Sequence, residues 1–159
     1  MVERAISGVP GFRVDARELA RPGPSFTVDT LGELRAEIGP ECPLLLVMGM
    51  DAFAGLHGWD RWREIARLAH IVVAHRPGTL PAVDSPYLEL APATDSVALL
   101  RRSAQGRVFF QPVTQLDISA TGIRECLRAG RSPRFLLPGS VRRYIAEHRL
   151  YRDVSAPPE

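Results

Sequence analysis

Several things are scarce in this sequence, and each scarcity removes a class of explanation. Long apolar runs are missing. The longest, Leu44–Met50, is far short of the ~20 residues that a membrane helix needs. The opening Met1-Val2-Glu3-Arg4 carries no signal-peptide pattern, and the two features together imply a cytoplasmic protein. Cysteine is nearly absent. Cys42 and Cys126 stand outside any Cys-x-x-Cys pair and away from any histidine cluster, which argues against a zinc site and a disulfide framework. Both read as free thiols in a reducing compartment. Net charge is small as well, +2 from 20 basic and 18 acidic side chains, so nothing demands a nucleic-acid or membrane partner. Many of the positive charges are arginines, which leaves room for a local phosphate site without a global basic field. No internal repeat is visible.

What is present looks like an ordinary globular chain. Its 159 residues suit one domain with a real core, expected over residues 1–153, with a disordered tail at Val154–Glu159. Strand-like and helix-like segments alternate. Phe12-Arg13-Val14 alternates apolar and polar residues like an edge strand. Thr27–Ile38 places Val28, Leu31, Leu34 and Ile38 on one helical stripe, stopped by Gly39-Pro40. Leu44–Met48 is a continuous apolar run of the kind found in strands buried on both faces. Trp59–Leu68 reads as helix, His70–Ala74 as a second buried strand, and Arg76-Pro77-Gly78 as a turn. Thr79–Gly106 is the least regular region, with a short helix expected at Val97–Arg102. Val108–Phe110 is a third buried strand, followed by a helix ending at Gly130 and a last helix marked by Val141, Tyr144, Ile145 and His148. Helices between buried strands predict a parallel α/β sheet of Rossmann type.

In open α/β sheets, ligands bind beyond the carboxyl ends of the strands. Two segments fall there, Gly49-Met50-Asp51 and Ile118–Arg124. In the second, Ser119 and Thr121 can cap a helix whose free N–H groups and dipole attract phosphate, and Arg124 can add a bidentate contact. A plain cap with a solvated Arg124 is the simpler local alternative. In the first, Gly49 permits close approach of a ligand and Asp51 can accept hydrogen bonds from a ribose hydroxyl or an amide. Here too a simpler alternative stands, with Asp51 as the N-cap of the next helix. Trp62 suits core packing, whereas Trp59, near a strand end, could stack on a planar ligand. Ser25 or Thr27 reads locally as a helix cap. None of His57, His70, His75 and His148 pairs at metal spacing or forms a Ser/His/Asp arrangement, so no catalytic histidine is assigned, and His70 reads as structural.

Together these segments resemble a known family. Ile118-Ser119-Ala120-Thr121-Gly122-Ile123-Arg124 is similar to the Ile-Ser-Ser/Ala-Thr-x-Ile-Arg motif of HxGH-type nucleotidyltransferases. Pro24-Ser25-Phe26-Thr27-Val28-Asp29-Thr30-Leu31, Gly49-Met50-Asp51, Trp59 with Ala69-His70, and Arg76-Pro77-Gly78 resemble one branch, the bacterial nicotinate mononucleotide adenylyltransferases. The ending, Leu136-Leu137-Pro138 through Tyr144-Ile145 to Leu150-Tyr151, fits too, so the likeness runs in order from about Gly11 to Arg152. The resemblance implies adenylyl transfer from ATP to nicotinate mononucleotide, giving deamido-NAD and pyrophosphate, with Mg2+ accompanying ATP. It places Ser25 and Thr27 near the nicotinate carboxylate and Trp59 on the pyridine ring. Gly49 and Asp51 would line the nucleotide site, and Ser119, Thr121 and Arg124 would hold the ATP phosphates. Phe26 stands where the family usually has tyrosine, so a packing role there survives without a phenol oxygen.

The family also carries a Gly-Gly-x-Phe-Asp-Pro turn and a His-x-Gly-His motif, and neither occurs in these 159 residues. The expected sheet is therefore incomplete at its amino-terminal side, with Met1 read as an internal methionine ahead of the first matching strand. Phe12–Val14 would lack a neighbour, and one edge of Leu44–Met48 would be open and apolar, which invites aggregation or pairing with another chain and leaves homo-oligomerisation open. Activity of this polypeptide is expected to be impaired. The alternatives are another adenylyl- or cytidylyltransferase of the superfamily, or a non-catalytic remnant that binds nucleotides or a protein.

Overall fold

The computed structural model describes residues 1–77, 85–114 and 116–151. The elements, in order, are α1 (Val2–Ile6), α2 (Arg17–Ala20), α3 (Thr27–Ile38), β1 (Leu45–Gly49), α4 (Met50–Ala54), a 3-10 turn (Leu56–Gly58), α5 (Trp62–Ile65), β2 (His70–His75), α6 (Tyr87–Leu90), α7 (Val97–Arg102), β3 (Val108–Pro112), α8 (Ala120–Arg128) and α9 (Gly139–Glu147). They fall into two compact units, one formed by Arg17–Gln115 and the other by Met1–Ala16 with Leu116–Glu159. The tail expected to be disordered and Gly78 of the expected turn lie outside the described residues.

The larger unit holds a parallel sheet in the order β1-β2-β3. Leu45 is opposite His70 in one ladder, and Ile71 is opposite Val108 in the other. This is the parallel α/β arrangement that the alternation of elements predicted. The core forms where helices cover the sheet. Val28 and Leu31 of α3, Phe53 of α4, Leu56, Ile65, Ile71, Val73, Tyr87 and Val108 are buried together. α3 spans the residues that the stripe of apolar positions indicated. It ends at Gly39, whose φ of 86° is left-handed and whose N–H donates to the Arg35 carbonyl at 3.0 Å.

Arg35 is the main polar tie of this unit. Its guanidinium donates to the carbonyls of Gly39 (3.1 Å), Cys42, Leu68 (3.1 Å from Nε) and Ala104 (2.9 Å). One side chain thereby joins the end of α3, the approach to β1, the approach to β2 and the approach to β3.

Three sequence expectations are corrected. Phe12–Val14 is not a strand. No described strand pairs with it, so its backbone has no ladder to join, and Phe12 remains 65% exposed. β1 is not buried on both faces. It lies at the edge of the described sheet, where Leu45 and Val47 stay exposed while Met48 packs inward. The central strand β2 has the two-sided burial that its apolar run implied. The helix expected over Trp59–Leu68 is broken, since only Trp62–Ile65 is helical. Arg61, at φ 45° and ψ 36°, is left-handed and interrupts it.

Tyr87 is wholly buried, edge-on to Phe53 at 6.1 Å and tilted to Trp62 at 6.3 Å. Its hydroxyl has no hydrogen-bond partner among the described residues, and burial pushes the phenol pKa up. An unpaired buried hydroxyl contributes nothing that a phenylalanine would lose. Tyr87→Phe is therefore expected to change unfolding free energy by less than about 1 kcal/mol, or to raise it, in urea titrations at neutral pH. At alkaline pH the sign is fixed. The folded phenol is less acidic than the unfolded one, so folding stability is unaffected by its titration below the ordinary value of 10.0 and falls as pH rises above it. Tyr87→Phe should remove that alkaline loss, and a variant destabilised by more than about 2 kcal/mol at neutral pH would show that the hydroxyl is bonded after all.

The smaller unit packs α1 against α9. Val141 and Ile145, one helical turn apart, are buried, as the period of that segment required. The Ser140 hydroxyl donates to the Arg4 carbonyl at 2.6 Å. Among the described residues of the whole chain, no helix is long and apolar enough to cross a membrane.

Candidate functional site

The larger unit brings together residues that are distant in sequence. A cleft of about 300 Å³ is lined by Ser25, Phe26, Thr27, Gly58, Trp59 and Asp60. One wall is the start of α3, and the other is the turn leading into α5. Four of these residues were marked by the sequence, namely Ser25, Phe26, Thr27 and Trp59. Gly58 and Asp60 were not, although both adjoin Trp59 in the chain.

The wall at α3 is built by polar contacts. Arg21 pairs with Glu33 at 2.7 Å, Arg17 with Glu37 at 3.0 Å, and the Thr30 hydroxyl donates to Glu18 at 2.6 Å. These contacts hold α2 along α3 and fix the connecting segment. The Ser25 hydroxyl donates to the Glu18 carbonyl at 3.2 Å. The expectation that Ser25 or Thr27 caps α3 is overturned. Phe26 occupies the N-cap position with no side-chain cap, because Ser25 is drawn back toward α2 and Thr27 is already helical. The amides of Asp29 and Thr30 both donate to the Phe26 carbonyl, which leaves the first amides of α3 and the Thr27 hydroxyl beside the cleft. With its proton committed to Glu18, Ser25 can only accept here.

The facing wall is tied to α3 by charge. Arg61 donates to Asp29 at 2.6 Å and to Asp60 at 2.7 Å. Both hydrogen bonds raise the pKa of its guanidinium, Asp60 contributing more than Asp29. Trp62 packs toward the core under the Arg63 guanidinium, 4.3 Å from the ring centroid, so its expected packing role holds. Trp59 is half-buried, packing against the core and lining the cleft.

Gly49 ends β1, and Asp51 follows it in α4. Asp51 is not the N-cap. Gly49 holds that position at φ −80°, and Asp51 lies in the first turn of α4 with an exposed side chain. A Cβ built on Gly49 would meet no atom within 4 Å, so nothing in the fold requires glycine there.

The smaller unit carries the other predicted residues at the start of α8. Ser119 is the N-cap, its Oγ accepting from the Gly122 amide at 3.0 Å. The Arg124 guanidinium lies along the helix and donates to the Thr121 hydroxyl at 3.3 Å. All three side chains are exposed.

The four histidines are placed elsewhere. His70 is buried with Nε2 2.8 Å from the Ser103 carbonyl, as its structural reading required. His75 is buried with Nδ1 2.8 Å from the Arg76 carbonyl, His57 contacts the Ala54 carbonyl, and His148 stacks on Tyr144. Among the described residues no group of three or more His, Cys, Asp or Glu side chains could hold a metal ion.

Comparison with known proteins places this geometry in a family. Residues 1–126 match the cytidylyltransferase-like family. A protein of Halorhodospira halophila named "Probable nicotinate-nucleotide adenylyltransferase" is 48% identical over 153 residues, covering 95% of this chain and 70% of its own length. Another of the same name from Hahella chejuensis is 46% identical over 159 residues, covering 98% and 72%. Among solved structures, the nicotinic acid mononucleotide adenylyltransferase of Plasmodium falciparum complexed with APC superposes with a TM-score of 0.54 at 15% identity. That match covers 81% of this chain and 59% of that one, so the chain spans somewhat under two thirds of the solved structure. The chain belongs to the cytidylyltransferase-like family, among the nicotinate-nucleotide adenylyltransferases.

Proposed function

We propose that the cleft binds the nicotinate end of nicotinate mononucleotide, and that the reaction served is AMP transfer from ATP to that nucleotide, releasing pyrophosphate and forming deamido-NAD. The observation that carries this reading is the meeting of Ser25, Phe26 and Thr27 with Trp59 around one cleft. A pyridine ring fits a slot with an indole on one side. The free amides at the start of α3 and the Thr27 hydroxyl supply donors for a carboxylate, aided by the helix dipole. Phe26 contributes apolar surface only. Gly49 and Asp51 would line the rest of the nucleotide site, Asp51 accepting from a ribose hydroxyl. Ser119, Thr121 and Arg124 would hold ATP phosphates, with the first amides of α8 and the Arg124 guanidinium offsetting their charge. Mg2+ would arrive on the triphosphate rather than in a protein cage, and would neutralise part of its charge. The protein would work in the cytoplasm, as a single nucleotidyltransferase domain with homo-oligomerisation open. By itself the 159-residue polypeptide would be a slow enzyme.

Binding tests this reading directly. Nicotinate mononucleotide should quench tryptophan fluorescence and outcompete both nicotinamide mononucleotide and phosphopantetheine. Trp59→Ala is expected to weaken that binding about 10- to 100-fold, the range of a lost aromatic stack on a heterocycle. Unchanged affinity in the variant would remove Trp59 from the site.

A further inference from the structure

One carboxylate lines the proposed nicotinate cleft and a second stands near it on α3. Asp60 lines it, and Asp29 lies two residues beyond Thr27 on the opposite wall. Left alone, they would repel a nicotinate carboxylate. Arg61 meets both at once, through Nη2 at 2.6 Å to Asp29 and Nε at 2.7 Å to Asp60. The same two bonds fasten the Trp59 turn to the start of α3. The backbone is held accordingly, since Arg61 occupies the left-handed region at φ 45°. Such a conformation in a residue other than glycine persists where its surroundings over-determine it.

We propose that Arg61 is a specificity-determining residue of the cleft. By engaging both Asp29 and Asp60 it offsets one of their two negative charges, which lowers the repulsion of an acid and so favours the nicotinate over the neutral amide. The assignment rests on the nicotinate reading above. Without Arg61, Asp60 on the cleft and Asp29 beside it would both be left uncompensated. The acid would then be repelled, while the amide, able to donate its NH2 to Asp60, would be little affected. The role assigned to Arg61 is one of positioning and charge, through Asp29 and Asp60.

Arg61→Gly and Arg61→Lys in the whole 159-residue chain separate this from a structural effect. Glycine adopts the left-handed backbone freely, so Arg61→Gly should lose only the two exposed ion pairs and lower Tm by no more than a few degrees. Calorimetric titration should show its affinity for nicotinate mononucleotide falling about tenfold, and that for nicotinamide mononucleotide changing less than about threefold. Arg61→Lys should recover part of the acid affinity, because an ammonium restores the charge but cannot bridge both carboxylates as a fork. Equal losses for acid and amide would overturn the proposal, since that is the result of a misshapen cleft. So would an unchanged acid affinity, or a lysine that recovers nothing. If the unaltered chain binds amide and acid equally, the specificity assignment falls while the cleft stands. If it binds neither, the nicotinate reading falls and the assignment with it.

Discussion

Arg35→Ala is expected to cost about 3 kcal/mol of folding free energy and to lower Tm by roughly 10 °C. The effect should be large because one guanidinium satisfies four carbonyls. Hydrogen bonds from a charged donor contribute about 1.5–3 kcal/mol each when lost singly, but bonds from one side chain do not add. The Leu68 carbonyl receives two of them and would lose both. The Ala104 carbonyl keeps the Leu44 amide at 3.1 Å and would suffer less. Arg35→Lys should recover under half the loss, since an ammonium cannot spread over four acceptors in a plane. Urea titrations of the three proteins, with m held constant, measure this. A loss below about 1 kcal/mol for Arg35→Ala would mean that water replaces the guanidinium at little cost.

The second large effect concerns turnover. The 159-residue polypeptide is expected to release pyrophosphate at least about a thousandfold more slowly than the same residues extended by a segment bearing Gly-Gly-x-Phe-Asp-Pro and His-x-Gly-His. Catalysis of phosphoryl-type transfer consists almost entirely of positioning and charge stabilisation, and one lost donor in such a site costs about 10²–10³ in rate. The histidines present cannot substitute. His70 and His75 are buried against carbonyls, and His57 and His148 are engaged within their own helices and turns. The phosphate site proposed at the start of α8 contains no histidine to supply that charge. Equal turnover by the two forms would show that the 159 residues hold a complete catalytic set. Binding of nicotinate mononucleotide should be comparable in both, which separates loss of chemistry from loss of fold.

Much of the fold could be read from the sequence because it depends on local periodicity. Thr27–Ile38 and Val97–Arg102 are helices at the expected residues, and the three central runs form the parallel sheet. Errors arose where a partner or a single dihedral decides. Phe12–Val14 has the alternation of a strand, but alternation does not provide a neighbour. The apolar run Leu44–Met48 suggests burial on both faces, yet in the described sheet this strand lies at the expected open edge, with Leu45 and Val47 exposed. Trp59–Leu68 has a helical stripe, yet Arg61 is left-handed and bonds to Asp60 and to Asp29, 32 residues away. The same distance hid the cleft. Ser25, Phe26, Thr27 and Trp59 were each identifiable as resembling family positions, whereas Asp60 and the Arg61 fork become visible only when the two walls are brought together. Capping was misjudged for a related reason. Ser25 suits a cap by type, but its hydroxyl is taken by a carbonyl of α2.

The arginine fan also bears on the order in which the larger unit assembles. Arg35 reaches Leu68 across 33 positions and Ala104 across 69. Helix α3 can form early from its own contacts, but its arginine finds all its acceptors only after the approaches to β1, β2 and β3 have converged. Loop closures of that length come late along a folding path. Arg35 therefore belongs with residues whose native bonds are largely unmade at the rate-limiting barrier, and its removal should speed unfolding far more than it slows folding. On this view the fan acts as a latch, setting how long the native sheet persists rather than how quickly it is reached.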